Sequence, residues 1–379
     1  MANFAVPIGQ KRRKADTEKT TARDSARSNP ARDSARSNPA RDSARSDGAF
    51  ERRLTVGYGP VGEIATGGGV LAVANHVADT VSFFDADALA AKGTVALGGE
   101  PTAVVVADDR AYVSVASEAH DAVAVIDVET SAVVATYPLA SGVTALAVSP
   151  DGKRVYAGRT TTDSGSALDR VELSVIDTTA ERVGTIDIGS GPAANIDAIR
   201  VDPGAKQIYV AVTDDRSSQL VVVDAETTRV RRVIPVGSPI RDIAYGGDAV
   251  YVLTSDRAVG GALYVIDLST HRVSDFVALG GAPTQLSLSP DEARAYVVDY
   301  DRVIVVCTLS LDILDSVSVD TRPSCVAHRP DGSRLFVADY SGAVNVFAVE
   351  STLEDLYSQF VATDATELHT ASRLQRLTA

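Results

Sequence analysis

The side chains with the greatest chemical potential in this 379-residue chain follow short Gly-x-Pro phrases. Gly62 and Glu63, Ala103, Asp197, Arg241 and Asp242, and Gln285 occupy such stretches, and Thr144 and Cys325 hold the corresponding places in the two units whose phrase is degenerate. Among them, Glu63, Asp197, Arg241 and Asp242 form the candidate reactive set, because a carboxylate beside an arginine is a usable acid/base pair. General acid/base chemistry is what such a set could support, and channel-lining side chains hydrated by ordered water are the alternative. Metal and haem chemistry finds no support. The five histidines (His76, His120, His271, His328 and His369) are scattered, with no His-x-x-x-His and no Cys-x-x-Cys-His. His76 and His120, with Asp79, Glu118 and Asp121 nearby, are a weak divalent-cation candidate, and no cofactor or metal is expected. Cys307 and Cys325 cannot build a disulfide framework and read as buried, inert thiols.

The elements that must position these residues are repeats. One phrase is centred on Ala72 (VLAVAN), Tyr112, Tyr156, Tyr209, Tyr251, Tyr296 and Phe336 (RLFVAD). A second ends at Asp85, Asp127, Asp177, Asp224, Asp267, Cys307 and Ala348, in steps of 42, 50, 47, 43, 40 and 41 residues. Within each unit, Val-, Ile- and Tyr-rich runs alternate with turn clusters such as Ser149-Pro150-Asp151-Gly152, so each unit offers four short strands. Asp127, Asp224 and Asp267 each precede a threonine by three residues, a spacing that lets the carboxylate cap its own turn. Seven four-stranded sheets of this kind close radially, each covering its neighbour. The Gly-Pro phrase recurs as VALGGEP, IDIGSGP, IPVGSP and VALGGAP, and appears once before any unit is complete, as LTVGYGP at 54–60. Residues 51–57 are therefore expected to form the outer strand of the seventh unit.

These phrases, together with SPDG-x-R-x-YV, resemble the YVTN-repeat propellers, the YncE-like and lactonase-like group, over residues 51–350. The resemblance implies an all-β, seven-bladed β-propeller whose N-terminal strand closes the last blade. Absence of tryptophan sets aside the Trp-Asp repeat class. Because this architecture hosts lactonases, haem reductases, dehydrogenases and binding scaffolds alike, function must be argued from sites.

Charge and composition organise the rest. Of 36 Lys/Arg and 50 Asp/Glu, 11 and 6 lie in residues 1–50, which leaves 25 against 44 for the body. The acidic body is not expected to bind nucleic acid. The basic tail, residues 1–49, repeats ARDSARSNP and is expected to be disordered, with Ser25, Ser28, Ser34 and Ser37 beside arginines as basophilic kinases prefer. The propeller is expected over 50–350, followed by a helical tail at 351–379 with apolar residues at Leu353, Leu356, Tyr357 and Phe360. Neither a secretion signal nor a membrane span is evident, so a cytoplasmic location, peripheral to the membrane at most, is expected.

Loops between the second and third strands share a face with the Gly-Pro loops and carry Asp79, Glu118, Asp121, Asp163, Asp214, Asp215, Asp256, Asp299, Asp301 and Asp339, with Tyr300 and Tyr340 among them. Rigid scaffolds concentrate binding residues on loops, and tyrosine is favoured at interface hot spots. The expectation is a monomeric, non-enzymatic scaffold that binds a protein partner, a basic segment in particular, through this face. By analogy it would be an accessory subunit of a membrane-associated cell-envelope transport complex. A sugar-lactone hydrolase at the channel mouth is the alternative.

Overall fold

The computed structural model describes residues 49–349, apart from 119, 141 and 163–165. The expectations for the basic tail, the helical tail and Asp163 lie outside these residues. Twenty-eight strands, β1–β28 in chain order, form seven four-stranded antiparallel sheets. The protein is a seven-bladed β-propeller, as the repeat phrases predict.

Radial closure is visible in the packing. Seven separate clusters of buried apolar residues each join one blade to the next. One such cluster joins Tyr156, Leu173 and Val171 of the third blade to Ile196, Ile199 and Val221 of the fourth. Aromatic centres of the repeated phrase are buried in these interfaces: Tyr156, Tyr209, Tyr296 and Phe336 are at most 2% exposed. A sheet with alternating residues on two faces has two apolar surfaces to cover, and a ring of neighbours covers both without leaving a long open edge.

The chain ends meet in the seventh blade, whose order is β1 (Ala49–Thr55), β28 (Ala343–Ala348), β27 (Arg334–Asp339), β26 (Pro323–His328). Leu54 pairs with Val344 and is buried against Phe336 and Val346, as expected for the early copy of the fourth-strand phrase. Val56 and Gly57 then donate to the Gly342 carbonyl, locking the chain as it leaves the closing strand.

The recurring aspartates are turn caps. Asp127 Oδ1 accepts from the Thr130 amide and hydroxyl, both at 2.8 Å, and Asp224 and Asp267 repeat the arrangement with Thr227 and Thr270. At Asp267 the Ser269 hydroxyl donates as well, at 2.6 Å, and together with the Thr270 bonds it favours the ionised form and holds the carboxyl down to about 2.

Candidate functional site

The innermost strands are β2 (Val61–Gly67), β6 (Glu100–Ala107), β10 (Val143–Val148), β14 (Asn195–Val201), β18 (Ile240–Tyr245), β22 (Gln285–Leu288) and β26. Six of them carry a bulge at their start, between Val61/Glu63, Pro101/Ala103, Val143/Ala145, Ile196/Ala198, Ile240/Asp242 and Pro323/Cys325. A bulge takes one residue out of the ladder and re-aims its side chain. The residues released are Gly62, Thr102, Thr144, Asp197, Arg241 and Ser324, and Thr284 holds the equivalent place before β22. Together they rim a cavity of about 220 Å³ at one mouth of the central channel.

The next residue in each blade forms a second tier, and its polar members tie blades together. Glu63 accepts the Val104 amide of the second blade at 2.9 Å, Asp242 accepts Leu286 at 2.9 Å, and Gln285 accepts Val326 at 2.6 Å. Asp242 also pairs with Arg200 at 2.9 Å. Glu63, Leu146, Arg200 and Gln285 line both the mouth cavity and a deeper one of about 320 Å³, so they form the waist of the channel. Burial outweighs the Val104 bond and the attraction of Arg200, and it lifts the Glu63 carboxyl to about 7. Desolvation likewise raises Asp242 against its Arg200 partner, and Asp197 against its hydrogen bonds.

The structure thus brings Glu63, Asp197, Arg241 and Asp242 to one mouth, but in two tiers with different roles. Glu63 and Asp242 are inter-blade ties, whereas Asp197 and Arg241 point into the cavity rim. Asp197 Oδ1 accepts from Asn195 at 3.2 Å and the Thr213 hydroxyl also favours its ionised form, while its buried Oδ2 has no hydrogen-bond partner among the described residues. Arg241 is exposed and forms no ion pair or hydrogen bond among the described residues. Arg200 was absent from the sequence-based set. Its signal was available, since the equivalent positions are Ala65, Val105, Ala147, Ala244, Ser287 and Ala327, none of them charged. Cys325 is buried, and its thiol is pushed up to about 12.

On the loop face, five of the acidic residues are engaged by their own scaffold. Asp121 accepts the Gly142 and Val143 amides, Asp299 accepts Ala282, and Asp214 accepts Arg216 and Ser217. Asp256 accepts the Ala258 amide, and the fully buried Asp339 accepts Ser341 and Asn345. Asp79, Glu118, Asp215 and Asp301 remain exposed. His76 pairs with Glu100, and among the described residues no three His, Cys, Asp or Glu side chains converge as a metal site.

A different feature stands on the same face. The Arg322 guanidinium lies 4.6 Å from the Tyr300 ring centroid and 4.7 Å from that of Tyr340. Both rings are exposed, at 61% and 41%. The Tyr340 amide donates to the Arg322 carbonyl at 3.0 Å, which fixes the two loops against each other. The exposed Tyr58 and Val77 stand on adjoining loops, because Gly342, two residues after Tyr340, is bonded to the 56–57 segment and closely approaches Gly59. Arg322 was missed because its loop, TRP at 321–323, departs from the Gly-x-Pro phrase of the other blades.

With the geometry established, relatives can be placed. No family model matches the chain. A "Seven-bladed beta-propeller protein" of Mycolicibacterium smegmatis is 50% identical over 312 residues, covering 82% of this chain and 83% of the relative. The chain belongs to this seven-bladed beta-propeller family. A second relative of the same description, from Mycobacterium tuberculosis, is 33% identical over 304 residues, 70% of this chain and 76% of its own length. Among solved structures, Kuenenia stuttgartiensis hydrazine synthase superposes with a TM-score of 0.67 at 19% identity, covering 78% of this chain and 97% of that one. That likeness shows the fold alone.

Proposed function

We propose that this propeller is a non-enzymatic interaction scaffold that docks a protein partner on the loop face, centred on Tyr300, Arg322 and Tyr340. The Tyr–Arg–Tyr stack carries the reading. The guanidinium lies over two tyrosine rings at once, and these cation–π contacts restrict an exposed arginine that would otherwise lose more freedom on binding. Tyrosine and arginine are the residues most enriched at interface hot spots, and Tyr58 and Val77 extend the patch with apolar surface. The group that fits is a carboxylate or a main-chain carbonyl on the partner. This narrows the expectation of a basic partner, since five of the predicted acids are already bonded to their own or a neighbouring loop.

Co-purification of tagged protein from native lysate tests the proposal, with the membrane fraction assayed alongside for the envelope-complex extension. A stoichiometric partner captured by the wild type and by Glu63→Gln, but lost with Arg322→Ala and with Tyr300→Ala/Tyr340→Ala, supports the reading. Equal capture by all four proteins refutes it. One observation favours the hydrolase alternative: a Glu63 carboxyl that titrates near neutrality is suited to general acid or base work. The mouth offers it no activated nucleophile among the hydroxyls of Thr102 and Thr144, which bond Ser114 and the Ile196 carbonyl. Lactone turnover abolished by Glu63→Gln would restore that alternative.

A further inference from the structure

The rim of the mouth cavity holds a donor and an acceptor that the fold itself leaves unmatched. Asp197 and Arg241 occupy the bulge positions of adjacent blades, so both project from the ladder into the same 220 Å³ space. Asp197 Oδ2 is buried without a hydrogen-bond partner among the described residues, with the Thr213 hydroxyl near enough to favour the ionised carboxyl. A buried polar atom in that condition ordinarily has a ligand or water for it. Arg241 is the converse case, a guanidinium with five N–H donors, exposed to the cavity and bonded to no acceptor among the described residues. The two do not satisfy each other by an ion pair, although Arg241 is close enough to draw the Asp197 carboxyl toward its ionised form. Their neighbours differ in kind. Asp242, one tier below, is paired with the deeper Arg200 at 2.9 Å and also holds the Leu286 amide. Thr284 and Ser324 continue the rim with small hydroxyl-bearing side chains, and Gly62 opens it at the first blade. The small residues Ala103, Ala145 and Ala198 in the tier below keep the space clear.

We propose that the channel mouth binds a small zwitterion of the amino-acid type, its carboxylate held by Arg241 and its ammonium by Asp197. Opposite charges on adjacent rim positions complement a ligand whose own opposite charges are two or three bonds apart. An arginine fork suits a planar carboxylate, and the unpartnered carboxylate oxygen takes an N⁺–H donor. A cavity of this size admits a small or medium amino acid. The Thr284 and Ser324 hydroxyls bias it toward a polar side chain. This inference concerns a different surface from the Tyr–Arg–Tyr patch and stands or falls separately from the partner proposal.

The test is titration calorimetry on the full chain, with glycine, L-serine and L-glutamine as zwitterionic probes. L-lactate serves as the probe lacking the ammonium and ethanolamine as the probe lacking the carboxylate. Saturable binding of at least one zwitterion is expected, weakened about tenfold or more in Arg241→Gln and in Asp197→Asn, as for loss of one charged hydrogen bond. Lactate and ethanolamine are expected to bind at least about tenfold more weakly than that zwitterion. Asp197→Asn is checked for folding by its thermal transition, and the exposed Arg241 gives a variant that leaves the core untouched. Absence of saturable binding by all three zwitterions, retention of affinity in the Arg241 variant, or lactate binding as tight as the zwitterion would each overturn the proposal.

Discussion

Replacing Glu63 by glutamine isolates the energetics of the channel waist. The carboxyl has an ordinary value of 4.5 and stands at about 7 in the folded protein, chiefly because burial disfavours the charge. The native state therefore retains a proton that the unfolded chain has released across this interval. By linkage, stability contributed by the protonated group is complete below about pH 4.5 and falls as pH rises to about 7. At 1.36 kcal/mol per pH unit, the loss amounts to about 3 kcal/mol. Glutamine does not titrate, and the fold already contains its version of this tie. Gln285 accepts the Val326 amide of the next blade as Glu63 accepts Val104, 41 residues on in both cases. Glu63→Gln should thus keep the tie and remove the penalty. Urea unfolding followed by circular dichroism from pH 5 to 8.5 is the assay. The variant is expected to match the wild type near pH 5 and to be more stable by about 2–3 kcal/mol at pH 8.5. Asp197 titrates in both proteins and cancels from the difference, whereas Asp242, whose charge repels Glu63, is coupled to it and contributes to the measured difference. Parallel stability curves over this range would refute the burial argument.

Two further outcomes test the architecture. Leu54→Ala removes a side chain buried between the closing strand and Phe336. A loss of about 2–4 kcal/mol is expected in denaturant unfolding, with protection of the β1–β28 amides from hydrogen exchange falling first; undiminished protection would argue against closure through this strand. Gly281 has φ +57, and a Cβ there would lie 2.4 Å from the Asp299 carboxylate, which caps the Ala282 amide. Gly281→Ala should therefore lower the thermal transition by several degrees, about what losing a buried charge-assisted bond implies, and an unchanged midpoint would show that the loop rearranges freely.

The repeat phrases alone determined blade number, strand content and chain closure. These properties rest on local period, turn chemistry and one displaced copy of a phrase, LTVGYGP, all readable along the chain. The acidic turn caps were equally legible, because Asp127 and Thr130 meet within one turn. The mouth was only half legible. From the proline of its phrase, the bulge residue is one position on for Thr102, Thr284 and Ser324, two for Gly62 and Arg241, and five for Asp197. Sequence spacing therefore mixed the two tiers, setting Ala103, Gln285 and Cys325 beside Thr144 and Asp197. Only strand register assigns a residue to the rim or to the tie below it. The distinction between bonded and available charge was likewise tertiary. Asp121 and Asp301 are alike as loop aspartates, yet one caps a loop 21 residues away and the other faces solvent. The Arg322 stack joins loops of two successive blades, with its partners 22 and 18 residues away along the chain, so no local pattern encodes it.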